Sequence, residues 1–519
     1  TAAGAGTVFT RHLGGPLGSL TVDSEGRAPR GCVTRVEADA GETLHLMRLV
    51  VRSGARLSSA RTIQVESLDA EFPDRLTIAG AIEAPRIELP ETPFLDVAGG
   101  ELDLGEIVAG GAGVGAVAVR SGGRLVLASP LAARSLAVTG ESTITVPEPS
   151  AASTHTLDLS VAESIWIEQG SSIDLESRGY VGGGRGGSES EHGESADGAF
   201  PPARDGTGGA HGGRGGSPAE TTGPDLEIAL AYDDFTDPSR PGGGGCALPS
   251  SSARGGLGQN GGGLLRLRAA ALRLDGGINL RGGGNRAGEF ELEAGGGGAG
   301  GGALIEVETL AGSGEIDADG GSTLRGGGGG GGRLALRYAD RSRFRGAVHA
   351  RGGSALHGDA AATAGGAGTV FWKGRAQLFG DLIVENGGRT QSYPRTALRP
   401  VGEGRVASLG ASEFGASGIR FPVTDTRLEG RWLILDGAAR RPLRIIANTE
   451  TTLTIDPVAG DLTRIASVGS AFVGAIVLDS LTVANGGALS TGGDWIIIAR
   501  GPVTVSGNGI IVAPRVVRW

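Results

Sequence analysis

Lysine is nearly absent from this chain. Lys373 stands alone, and arginine supplies the rest of the 47 strong bases. Against 57 acidic residues the net charge is −10, so bulk electrostatics gives no attraction to nucleic acid. The bias toward Arg, Ala and Gly reads as the mark of a GC-rich genome more than of a function. Cysteine is equally scarce. Cys32 and Cys246 lie far apart, which signals neither a disulfide framework nor a zinc site. A single bridge and two separate thiols both remain open. There is one Met, and aromatics make up 4%. No apolar run approaches the roughly 20 residues that span a bilayer. The chain opens at Thr1 with neither Met nor signal peptide, as expected if a leader or a longer precursor is removed.

Catalytic signatures are scarce too. A phosphate loop needs Gly-Lys-Ser/Thr, and Lys373 is followed by Gly374. No nucleophile elbow or Cys/His signature appears, and the seven histidines are scattered. The expectation is that the protein is not an enzyme and carries no cofactor.

Glycine is what the chain has in quantity. There are 99, without a collagen triplet and with only 23 Pro. Hydrophobic residues at 39% supply a core, which argues against disorder. The glycines recur at one phase of a repeat of roughly 20 residues. LLRLRAAALRLDGGINLRGG begins at Leu264, ALIEVETLAGSGEIDADGG at Ala303, and RLALRYADRSRFRGAVHARGG at Arg333. Each unit has an alternating strand, a turn, a second short strand, then Gly-Gly. Alternation puts Leu265 and Leu267 inward and Arg266 and Arg268 outward. Units too small to bury their own face do so by stacking. The expected fold is therefore all-β: a parallel β-helix (β-solenoid) rod with glycine-rich coils. With roughly 350 residues in rungs, the rod would be on the order of 80 Å long. A string of β-sandwiches is the rival.

The seven glycines 326–332 pose the sharpest question. Because glycine holds phase with the strands, the run reads as a packed or extended layer, of which the polyproline-II type is one form, where only hydrogen fits. A mobile loop is the alternative.

A longer repeat overlies the short one. TAAGAGTVFT at Thr1 matches TAGGAGTVFW at Thr363, an offset of 362. LVVRSGARLSS at Leu49 matches LTVANGGALST at Leu481, an offset of 432, so the second copy has gained about 70 residues. The apolar, strand-rich stretch 400–475 has the right size for an inserted β-barrel-like module. The division expected is 1–177 β-solenoid, 178–262 glycine-rich excursion, 263–399 glycine-rich β-solenoid, 400–475 inserted module and 476–519 solenoid continuation.

The succession AYDDFTDPSRPGGGG, GGGLLRLRAAALRLDGGINLRGGG and GGGGGGGRLALRY resembles the glycine-rich β-solenoid arrays of very large secreted or surface-exposed bacterial proteins. RIIANTETTLTIDP resembles small β-modules embedded in them. The resemblance covers 175–390 and, through the long repeat, both ends. It implies extracellular display and a structural or adhesive role, and it carries over no catalytic residues.

Three functions follow as expectations. First is a fibre or stalk component that self-associates through strand edges, with Thr7, Val8, Phe9, Ile510, Ile511, Val516, Val517 and Trp519 as assembly residues. Second is an adhesin that binds glycan through 178–262 or 400–475. Third is a polysaccharide-active enzyme. A weak calcium or sugar site would use Asp233, Asp234 and Asp237 of YDDFTD. A solvated acidic turn with Tyr232 and Phe235 tucked against the rod is the simpler reading. Trp372, Trp432, Trp495 and Trp519 read as core or end packing rather than sugar stacking.

Overall fold

A computed structural model describes residues 6–11, 18–23, 34–36, 43–52, 56–59, 63–65, 75–78, 81–89, 94–109, 114–185, 192–195, 206–217, 231–247, 256–284, 295–324, 326–355, 363–389, 396–398, 401–423, 428–435, 441–491, 496–512 and 515–518. The chain is all-β, with two large, mainly parallel sheets. Successive strands alternate between them. The long strands Thr156–Ile167, Leu264–Leu274, Gly302–Gly312 and Arg333–Phe344 stack in one sheet. The short strands Ser172–Asp174, Gly277–Asn279, Glu315–Asp317 and Ala347–His349 stack in the other. This is consistent with solenoid-like coiling, and such parallel ladders rule out a string of sandwiches.

Alternation explains the core. Leu265, Leu267 and Leu272 are buried while Arg268 and Arg273 face out. Leu267 is paired in register with Leu159 and Ile305, so like stacks on like along one continuous core. Outside, the same register aligns Arg268, Glu306 and Arg337, with ion pairs of 2.7 and 3.0 Å. Twelve strands in the long-strand sheet, at about 4.8 Å spacing, make that sheet about 53 Å high. Much of the glycine does not lie in these strands. It packs beside them.

After each short strand the chain runs out along one glycine leg and back along another, as at 318–321 and 326–332. Residues 326–332 lie at the centre of this bundle. Gly327 and Gly330 donate N–H bonds to Gly206 and Gly209, Gly328 and Gly331 to Thr363 and Gly366, Gly329 and Gly332 to Gly321 and Ala318. Their carbonyls accept from Gly297 and Gly300, from Gly216 and Gly213, and from Gly353 and Thr369. The partner changes at every residue and returns every third. That is the period of a polyproline-II-type helix, which bonds only to its neighbours. Six neighbouring segments thus surround one glycine helix. A Cβ on any of the seven would lie 1.9–2.4 Å from a backbone oxygen of a neighbour. The described glycine-rich parts of 178–262 belong to the same lattice. Cys246 is buried within it and accepts the Gly193 N–H at 3.5 Å, while Cys32 lies outside the described residues.

The long repeat has a structural counterpart. The Gly6–Arg11 strand pairs antiparallel with Gly18–Asp23, placing Phe9 opposite Leu20. Thr369–Gly374 pairs antiparallel with Asp381–Glu385, placing Phe371 opposite Leu382. Leu20 then stacks on Leu49, as Leu382 does on Leu481. Leu57 stacks on Ile82, as Leu489 does on Ile511. The second copy has its extra residues between the Thr396–Leu398 and Ala471–Leu478 strands. There six antiparallel strands close into a barrel. Phe414, Leu433, Ile445, Leu453 and Phe472 fill it.

One corner of the rod carries a buried carboxyl. Asp319 is 9% exposed and accepts the Arg351 N–H at 2.5 Å. Burial, then the neighbouring Asp317 charge, push it up from 3.8 to about 6. The fold therefore favours the protonated acid. The stability this adds is full below about pH 4 and is lost as pH rises through about 6. We expect stability to rise by up to about 3 kcal/mol between pH 7.5 and pH 4 from this group. Asp319→Asn should flatten that part of the profile and be the more stable protein at pH 7.5. Denaturant melts across this pH range test it, and an unchanged profile refutes it. Among the described residues no helix is long and apolar enough to cross a membrane.

Candidate functional site

The two stretches that interrupt the strand pattern meet. Residues 232–240, the outer face of the long-strand sheet and the barrel enclose a cleft of about 1310 Å³.

The first wall is a turn that its own side chains hold. Tyr232 is buried, and its hydroxyl donates to the Pro241 carbonyl at 2.5 Å. Burial, chiefly, drives its pKa well above the ordinary value. Asp233 follows in the left-handed region, at φ 69°. Its carboxylate accepts from the Ser239 and Arg240 N–H groups at 3.0 and 3.1 Å, and lies 3.2 Å from His211 Nε2. His211 is itself buried, with Nδ1 2.9 Å from the Gly300 carbonyl. Burial pushes the Asp233 carboxyl up, but the hydrogen bond and charge of His211, helped by Arg333, outweigh it and hold it below the ordinary value. Asp233 thus pins the turn to the glycine bundle. Phe235 packs edge-on against Phe371 at 5.4 Å, while Asp233 is buried rather than solvated, unlike the acidic turn expected from the sequence.

The floor comes from the residues that follow glycine helix 326–332. Arg333 is fully buried and reaches the Tyr232 carbonyl at 2.6 Å, Thr369 Oγ1 at 3.3 Å and the Ala397 carbonyl at 3.0 Å. One guanidinium therefore ties the turn, the long-strand sheet and the Thr396–Leu398 strand together. Arg337 bridges Glu306 and the Thr236 carbonyl. Lys373 lies beside them with its Nζ on the Gln377 carbonyl, and burial lowers its pKa.

The barrel forms the far wall. Trp432 pairs across strands with Arg444 on one side and Ala475 on the other. Residues directly opposite in such pairs share a face. Arg431 reaches across to Asp234 at 2.9 Å, bonding the insert to the turn.

The three carboxylates singled out from the sequence each turn to a different partner. Asp233 turns to His211, Asp234 to Arg431, and Asp237 to Arg266 at 3.4 Å. Among the described residues no group of three or more metal-ligating side chains converges. Trp372 is a core residue, but Trp432 is half-buried on the cleft, which departs from its reading as packing alone. Trp495 and Trp519 lie outside the described residues. Of the proposed assembly residues, Thr7, Val8 and Phe9 lie on a strand at the end of its sheet. Ile510 and Val516 are 49% and 42% exposed, while Ile511 packs toward the core. Val517 lies on the Arg515–Arg518 strand.

Sequence reasoning did not single out Arg333, Lys373, Arg431 or Arg444. Lys373 had one signal, its being the sole lysine; the others are arginines among many. No family model matches the chain, and no curated protein or solved structure matches it.

Proposed function

We propose that this chain is a structural rod of the β-solenoid type, acting outside the cell as a subunit or segment of a surface fibre. The observation that supports this most is the duplicated register. The coil set that contains Leu20, Leu49 and Ile82 is built again around Leu382, Leu481 and Ile511. In the first copy, the Ala81–Leu89 strand is followed in the sheet by Glu101–Ala109, paired Ala81 to Glu101. In the second, the equivalent strands, Ile510–Val512 and Arg515–Arg518, pair on one side with Ala488–Thr491 and Ile496–Ala499, and the exposed Ile510 and Val516 offer a second copy an apolar strand surface. The glycine lattice suits the same role, since it stiffens the rod with backbone bonds at every residue.

Electron microscopy of the native material beside the 519-residue chain tests this. Filaments or long rods of constant width, with an axial repeat near one rod height, are expected. Compact particles with no lengthwise association at any concentration would refute it.

A second reading is favoured by the cleft: the rod also displays an adhesive site. The far wall of the cleft is the barrel inserted in the second copy.

A further inference from the structure

We propose that the cleft between residues 232–240 and the barrel binds an uncharged oligosaccharide, with Trp432 as its stacking platform and Arg444 as its hydrogen-bonding fork. The inference deepens the adhesive reading and rests on it. At about 1310 Å³ the space exceeds the roughly 300–1,000 Å³ typical of a small-molecule pocket, so a chain-like ligand fits better than a single small one.

Charge decides the class. Five carboxylates and five cations line the cleft, so it offers no net field to a polyanion or a polycation. Most are already engaged: Asp234 with Arg431, Asp233 with His211, Arg337 with Glu306. Arg444 and Glu429 are exposed and have no ion-pair partner among the described residues. Trp432 is half-buried, held edge-on by Phe379 at 5.1 Å, and its indole N–H makes no hydrogen bond to a described residue. Arg444 is its direct cross-strand neighbour, and the Asp456 N–H bonds the Arg444 carbonyl at 2.9 Å, fixing that stretch of barrel. A pyranose has one face of C–H groups and a rim of hydroxyls. The ring face suits an indole, and vicinal hydroxyls suit a planar donor fork and a free carboxylate. The pre-formed aromatic pair adds rigidity, which lowers the ordering cost of binding.

The test uses the full chain on an array of neutral, sialylated, uronic-acid and sulfated oligosaccharides, with titrations at low and high salt. Neutral oligosaccharides should bind with little salt dependence. Trp432→Ala and Arg444→Ala should each raise Kd by about tenfold. Arg420→Ala, an exposed barrel arginine outside the cleft, should leave it unchanged. Charged glycans binding instead, with strong salt dependence, would overturn this inference and leave the adhesive reading standing. Binding of no glycan would overturn both, and neutral-glycan binding that both cleft variants leave intact would overturn this inference alone.

Discussion

Gly329→Ala should destabilise the protein by more than about 3 kcal/mol, the upper part of the range for forcing a methyl into a packed interior. Its Cβ would lie 1.9 Å from the Gly298 carbonyl oxygen and 2.5 Å from the carbon behind it. Both atoms are backbone, so no side chain can swing away. Relief requires segment 295–301 to separate from 326–332. That separation breaks the Gly297 to Gly327 and Gly300 to Gly330 bonds. Because six segments surround glycine helix 326–332, the shift cannot stay local. The control is Gly277→Ala, on the Gly277–Asn279 strand. There the nearest atom is Ser172 Cβ, at 3.9 Å. An Ala there is expected to change stability by no more than about 0.5 kcal/mol, or to raise it slightly by restricting the unfolded chain. Denaturant midpoints for both variants decide the matter. A Gly329→Ala midpoint equal to that of Gly277→Ala would mean that the glycines are not close-packed.

The contrast between these two glycines shows what the sequence could and could not disclose. Period-two alternation in LLRLRAAALRL is a local signal, and it placed Leu265 inside and Arg268 outside correctly. The offsets of 362 and 432 were equally legible, and their difference marked the barrel between Leu398 and Ala471. The phase of the glycines pointed to packing. What it did not disclose was that the described glycine-rich parts of 178–262 join the same lattice, because that depends on hydrogen bonds such as Gly209 to Gly297 that cross long spans of chain. The cleft was least legible. Its walls come from Asp234, Arg337 and Arg431, and no local pattern links residues so far apart. The YDDFTD turn did attract attention, but for calcium. An aspartate at φ 69° with three backbone N–H donors looks in sequence like any other acidic turn.

That aspartate carries the second large effect. Asp233→Ala should cost about 3–5 kcal/mol, because it removes one member of a buried pair and leaves the other without its partner. His211, wholly buried, would keep only the Gly300 carbonyl. The Ser239 and Arg240 N–H groups would lose their acceptor. Asp234, Phe235 and Asp237 ride on the same turn, so the cleft wall should come free with it. Hydrogen exchange reads this directly: amides 239 and 240 should lose protection in the variant, while those of the Leu264–Leu274 strand keep theirs. Acid should reproduce the effect. The native carboxyl is held below its ordinary value of 3.8, so its contribution is full above that value and is lost as pH falls through the depressed one. The turn should therefore stay closed at pH 5 and open only below about pH 4, when Asp233 takes up a proton. Asp319 moves the other way over the same range, gaining stability for the rod as it is protonated. Acid should then release the cleft wall from a rod corner that has grown more stable. Loss of protection at 232–240 together with the whole glycine bundle, at one pH, would show instead that turn and rod unfold as one unit and that Asp233 is not a separate latch.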